Sequence, residues 1–223
     1  MSLENPSNKL EAKDFKKYVS NFTHEAALNG NVYDDRPVIL LPEEFFDGLL
    51  KFVDFDKEIT GAFLVKTKNL ISLNVFEINS IITLGIGNEG DVEPEDKKIK
   101  AINKLLRNHP ELSSIVFHTH PKTLDSHYYS NFSDLGESNK GDAESLTKAF
   151  NRNNNYMHVL VTPTHFLTFG KNLPQFKVAK FPEAQSEDER SQIEINRKLK
   201  QNIIFSKYEE LQNEFRANLD LEE

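Results

Sequence analysis

Residues 114–121 read Ser-Ile-Val-Phe-His-Thr-His-Pro, an apolar run that leads straight into two histidines and a proline. The run reads as a buried strand that ends at Pro121, because proline brings no N–H to a sheet ladder. Side chains on a strand alternate with a period of two, so His118 and His120 project from one face and Thr119 from the other. Two imidazoles placed in this way can grip one ion, or they can cap a sheet end and bind water. The rest of the chain has to decide between these.

The flanking patterns predict a mixed α/β architecture. Val38–Leu41 reads as a short strand, and Phe45, Phe46, Leu49, Leu50 and Val53 follow at spacings of three and four, the mark of a core-facing helix. Three strand-like runs come next, EITGAFLVKT, LISLNVFEI and SIITLGIG, separated by Lys-Asn and Asn-Ser turn chemistry, which predicts a meander. Ile99, Ile102, Leu105 and Leu106 form one helical stripe that ends at His109-Pro110. Beyond the histidines lies a polar and aromatic loop (122–141), and Asp142 then opens a short helix. YMHVLVTPTHFLTFG reads as a hairpin and LPQFKVAKF as a further strand. Ser186 and Glu189 have capping-box spacing at the start of a long C-terminal helix, with Leu199, Ile203, Tyr208, Leu211 and Phe215 on one face. Residues 1–35, polar with a short helix around 11–19, read as an N-terminal extension. Residues 36–182 form the main domain and 183–223 a C-terminal helical extension.

Composition narrows the chemistry. With 223 residues, 38% of them hydrophobic, and 17 phenylalanines, the chain can fill one sizeable core. A net charge of −8, with no basic stretch interleaved with aromatics, argues against nucleic acid as a partner. No cysteine is present, so any metal must be held by histidine, carboxylate and water. The sequence offers no apolar signal core and no run of membrane-spanning length, and the expectation is an intracellular, cytoplasmic chain without a membrane partner. The sequons at Asn21 and Asn131 then carry no glycan. Gly85, Gly87 and Gly90 have dinucleotide-site spacing, but Asp91, Glu93, Glu95 and Asp96 follow them and would repel a pyrophosphate, so a flexible turn is the better reading.

A catalytic zinc site needs a third protein ligand and an open position. Asp142 is the leading candidate, following a glycine and opening a helix, although an aspartate there also suits plain helix capping. Metal-assisted hydrolysis further needs a group that takes a proton from water and returns it to the leaving group. Glu58, at the junction of a helix and an apolar strand, suits that role or that of a solvated helix-end charge.

Together these pieces resemble the JAMM (MPN+, JAB) metalloprotease family, whose signature is an upstream Glu, then His-x-His-Pro, then Ser-x-x-Asp. The matching residues are Glu58 in E-I-T-G-A-F-L, H-T-H-P at 118–121 and G-D-A-E-S-L at 141–146, and the likeness covers roughly residues 36–180. The resemblance implies a cytidine-deaminase-like JAB/MPN domain, a mixed sheet flanked by helices, with zinc held by His118, His120 and Asp142 and with Glu58 as acid/base. It also implies a serine that stabilises the tetrahedral intermediate. That serine is displaced here: Asn139 stands three residues before Asp142 and Ser138 one further back, so either side chain is a candidate. The loop from His120 to Asp142 is longer than the family's and looks like an insertion. An alternative alignment uses Asp134 as ligand with Ser130 before it, and fits less well. His127 in the loop reads as solvent-exposed, and His24, His109, His158 and His165 as structural. The substrate implied is the C-terminal tail of a ubiquitin-like protein or a related peptide, lying along a sheet edge in a groove to which Tyr128, Tyr129 and Phe132 could contribute. Rival readings are a non-catalytic MPN-type scaffold that binds a partner, or a second copy, through the C-terminal helix, and a peptidase for small or phage-associated substrates.

Overall fold

A computed structural model of the chain describes residues 9–32, 34–70, 73–87, 92–122, 132 and 141–221. Eight strands form one mixed sheet: β1 (Val19–Thr23), β2 (Val38–Pro42), β3 (Ile59–Leu70), β4 (Leu73–Ile86), β5 (Leu112–Thr119), β6 (His158–Val161), β7 (His165–Phe169) and β8 (Gln175–Ala179). Their order is β1-β7-β6-β5-β3-β4-β2-β8. β2 runs parallel to β4 and β8, and β5 parallel to β6; the remaining pairs are antiparallel. Because β8 also touches β7 and β1, the sheet curls until it is nearly closed.

Helices cover both faces. α1 (His24–Asn29) and α2 (Glu43–Leu50) pack on one face through Ala27, Phe45 and Leu49, against Phe63, Val65, Phe117 and Phe166. On the other face, Ala62, Leu64, Ile82 and Leu84 meet Ala101, Ile102 and Leu105 of α3 (Asp96–Asn108), together with Leu211 and Phe215 of α5 (Glu187–Asp220). Further along that face α4 (Asp142–Arg152) lays Leu146 and Phe150 over Leu160 and Leu167. The alternation of Ala62 and Leu64 with Phe63 and Val65 is the strand period at work: β3 is central and buried on both sides.

The expected meander is a single long hairpin. Leu73–Ile78 of the first run and Ser80–Ile86 of the second fuse into β4, and Asn79-Ser80 is no turn: Ser80 is fully buried opposite Leu64, while Val65 pairs with Ile78. Asn79 is thus the extra residue of a β-bulge, and its side-chain amide donates to the Glu77 carbonyl at 2.8 Å. A polar pair that reads as a turn locally is carried through the sheet because β3 supplies a partner along the whole length.

The N-terminal segment is not a loose extension. After a short 3-10 helix (Ala12–Tyr18), β1 pairs in register with all of β7. Leu10 and Phe15 are buried with α4, and Asn151 of that helix exchanges two hydrogen bonds with the Leu10 backbone. Its apolar residues are too sparse to show a period, and only the waiting edge of β7 makes them a strand.

α5 starts as expected: Ser186 Oγ accepts the Glu189 N–H at 3.2 Å, and Glu189 accepts the Gln185 N–H. Its apolar stripe is only half used, however. Leu211 and Phe215 are buried and Tyr208 rests on Phe45, whereas Leu199 and Ile203 are 57% and 70% exposed. The first half of the helix meets the domain through polar side chains, with Arg197 and Lys200 over the Phe181 ring, and leaves this part of its apolar stripe uncovered.

Candidate metal centre

The site lies at the C-terminal end of β5, on the face covered by α4. β5 is fixed between β3 and β6, and the ladder continues past its last residue, with the His120 N–H donating to the Val161 carbonyl at 3.1 Å. Phe117, which points to the opposite face, stacks on Phe63 and lies so close to Gly61 that a Cβ there would sit 2.5 Å from its ring and from the Ile82 carbonyl. Glycine is required at this point, and it lets β5 lie tightly against β3. His118 and His120 then project together as the strand period demands, both buried, with their Nε2 atoms 3.2 Å apart.

Asp142 completes the cluster. Gly141 is the N-cap of α4 and its carbonyl accepts from Glu144 and Ser145, so the Asp142 carboxylate is not spent on capping. Instead Oδ1 lies 3.3 Å from His118 Nε2 and Oδ2 3.6 Å from His120 Nε2. Burial by itself would raise the Asp142 carboxyl, but the charge and hydrogen bonds of His118, followed by those of His120, outweigh it and hold the group well below the usual carboxylate range.

Glu58 stands just before β3, buried, with Oε1 3.8 Å from His120 Nε2. Its position is set by backbone: the Gly87 N–H donates to the Glu58 carbonyl at 2.9 Å, and the next residue, Ile59, donates to Thr119 Oγ1 at 3.0 Å. The turn after Pro121 is held down as well, because the Lys122 N–H donates to the Val53 carbonyl and its ammonium pairs with Asp54.

Two residues absent from the sequence-based site belong to it. His158, which reads as structural, is buried at the start of β6, and its Nε2 is 2.7 Å from His118 Nδ1. Tyr156 places its hydroxyl 3.0 Å from His158 Nδ1. Burial, reinforced by the nearby His118, keeps the His158 imidazole far below its ordinary pKa and therefore neutral; burial also pushes the Tyr156 hydroxyl up, so it stays protonated. A signal for the pair existed, since Tyr156 and His158 are two apart, like His118 and His120. Phe132 packs its ring against His118 and His158, at 6.1 and 6.2 Å between ring centres, and is itself backed by Phe15.

The other histidines lie elsewhere: His24 packs on Phe166, His109 pairs with Glu214, and His165 bonds with Thr164. Ser138, Asn139, Ser130, Asp134, His127, Tyr128 and Tyr129 fall outside the described residues. Of the GxGxxG triplet, Gly85 has a packing reason: a Cβ would meet the Glu93 carbonyl at 2.2 Å, where the chain folds back and Glu95 bonds to Leu84. Gly90 is outside the described residues.

No protein-family model matches this sequence, and no curated protein matches it. Among solved structures the chain is similar to protein DSY2949 from Desulfitobacterium hafniense, at 12% identity over 66% of this chain and 96% of that one, with a TM-score of 0.37.

The donor set fits a cation. His118, His120 and Asp142 each offer a ligand atom, all within 4.8 Å of one another. Two imidazole nitrogens at 3.2 Å that both face one carboxylate are mutually unfavourable as bare lone pairs, and a positive charge between them removes the conflict. Nitrogen and carboxylate ligands without thiolate suit zinc and neighbouring divalent transition metals alike. The cluster can therefore hold a metal ion, and the Glu58 carboxylate stands beside it.

Proposed function

We propose that the chain is a zinc-dependent hydrolase of amide or isopeptide bonds, a JAMM-type metallopeptidase with a JAB/MPN domain. The observation that carries this reading is the convergence of three separate segments of the chain: His118 and His120 with Asp142, their ligand atoms within 4.8 Å of one another, and Glu58 at their edge. His118, His120 and Asp142 hold the metal. Zinc supplies positive charge that acidifies water towards a pKa of about 7 and polarises a carbonyl. Glu58 takes the proton from the attacking water at Oε1 and hands it to the departing amine nitrogen, so that no covalent enzyme intermediate is needed. Ser138 or Asn139 donates to the developing oxyanion. Phe132, over His118, excludes water from that side of the site.

The substrate is the tail of a ubiquitin-like protein or a related peptide, and the setting is the cytoplasm. No helix among the described residues is long and apolar enough to cross a membrane. One observation favours the scaffold alternative, in which α5 binds a partner protein or a second copy: Ile195, Leu199 and Ile203 form an exposed stripe on this helix.

Metal analysis of untagged protein separates the two readings. One zinc per chain is expected, and its absence even after zinc is added would reject hydrolysis in favour of the scaffold. Glu58→Gln should then keep its zinc and lose on the order of 10²–10⁴ in turnover of a ubiquitin-like fusion, the usual worth of a general base. Full activity in that variant would remove Glu58 from the mechanism.

A further inference from the structure

His118 has two ring nitrogens with two different duties. Nε2 faces His120 Nε2 and Asp142 Oδ1, at 3.2 and 3.3 Å, so as a ligand atom it must present a lone pair there. Nδ1 must then carry the proton, and its neighbour is His158 Nε2 at 2.7 Å. That places a lone pair on His158 Nε2 and the proton of His158 on Nδ1, which faces the Tyr156 hydroxyl oxygen at 3.0 Å. The directions are forced one after another from the ligand end.

We infer that Tyr156 and His158 form a buried relay that positions His118, with Tyr156 Oη accepting from His158 Nδ1–H and His158 Nε2 accepting from His118 Nδ1–H. The relay rests on the metal-binding reading above and adds to it two residues that touch neither metal nor substrate. The fold explains why an imidazole stands there. β6 runs parallel to β5 with His158 opposite Val116 and Leu160 opposite His118, so His158 shares the face of His118 one step back along the sheet. A carboxylate in this buried place would bring another negative charge beside Asp142, whereas a neutral imidazole accepts the hydrogen bond without one. Phe132 seals the relay from outside, with its ring centre 6.1 and 6.2 Å from the two imidazoles.

A residue that orients a ligating histidine through its second nitrogen is usually worth tenfold or more in metal affinity, and zinc affinity is the first readout. In competition with a chromophoric chelator, His158→Phe in the full chain should weaken zinc binding about 10- to 100-fold. His158→Gln, whose amide oxygen reaches the place of Nε2, should recover most of the loss. Tyr156→Phe should cost about fivefold, the equivalent of one neutral hydrogen bond. The second readout is the tautomer of His158: ¹⁵N spectra of the zinc-loaded wild-type protein should show it as Nδ1–H, and Tyr156→Phe should move that Nδ1–H resonance by removing its acceptor. A zinc affinity of His158→Phe within about twofold of wild type, against the loss expected of an orienting partner, or an Nε2–H tautomer of His158 in the zinc-loaded protein, overturns the relay. Should His158→Phe fail to fold, the glutamine and Tyr156 variants decide by the same two measurements. If wild-type protein binds no zinc, the hydrolase reading and the relay that rests on it both fall, whereas zinc bound by His158→Phe as tightly as by wild type overturns the relay alone.

Discussion

Two glycines show how one residue type carries opposite meanings at different places. Gly61 lies where β3 passes under the Phe117 ring, and an added methyl would sit 2.5 Å from both that ring and the Ile82 carbonyl. Backbone on one side and a stacked aromatic on the other leave nothing free to yield. Gly61→Ala should therefore destabilise the chain by about 1–3 kcal/mol, the usual penalty for overpacking, and should disturb the strand that ends in His118. Gly48 stands inside α2, and a Cβ there would meet nothing within 4 Å. Gly48→Ala should stabilise by up to about 1 kcal/mol, because alanine loses less backbone entropy in a helix. Urea unfolding of the two variants checks both signs, and a gain in Gly61→Ala would show that β5 is not seated by this contact.

Among the elements, α5 divides into a half that belongs to the core and a half that does not. Leu211 is fully buried against the β3–β4 face and α3, so Leu211→Ala should cost about 2–5 kcal/mol. Leu199→Ser, one residue of the exposed stripe, should stay within about 0.5 kcal/mol in the isolated chain. Equal losses from the two would mean that the first half is covered after all. The buried half is also pinned electrostatically. His109, after the end of α3, meets Glu214 at 2.6 Å, and Asn108 donates to the same carboxylate. The Glu214 hydrogen bond raises the His109 pKa, with a smaller contribution from Glu111 and opposition from burial and Lys207. A raised histidine stabilises the fold fully below its unfolded pKa of about 6.5, and that contribution is lost as pH rises through the folded value. Glu214 is opposed by burial but lowered by Asn108 and His109, so its side of the same pairing is lost only in acid. Stability measured from pH 5 to 8 should fall with this component in wild type and lack it in Glu214→Gln; identical slopes would take the pairing out of the account.

For the whole molecule, the proposed ion ties the end of β5 to the start of α4. Its ligands come from two separate elements, and it binds only the folded arrangement. Free zinc at about a hundred times its Kd should therefore add about 2.7 kcal/mol to unfolding, and chelation should remove it. A melting temperature indifferent to zinc would argue that the three side chains do not act as one site.

Much of this site could be read locally. The period of two placed His118 and His120 together, the glycine before Asp142 marked a helix start, and Glu58 stood where an apolar strand did not need it. These are properties of a few consecutive residues. Ser80 inside a strand, the half-used stripe of α5, and the strand made from residues 19–23 were not legible, because each depends on whether a partner lies alongside. His158 is the clearest instance. Its own neighbourhood suits an ordinary strand start, and it reaches His118 only because β5 and β6 pair in parallel with Val116 opposite His158. The sequence by itself determined which side chains share a face of a strand or helix, since backbone geometry repeats over two or 3.6 residues. Only the tertiary structure decided which faces meet, because that follows from strand register and helix packing between segments 40 to 150 residues apart.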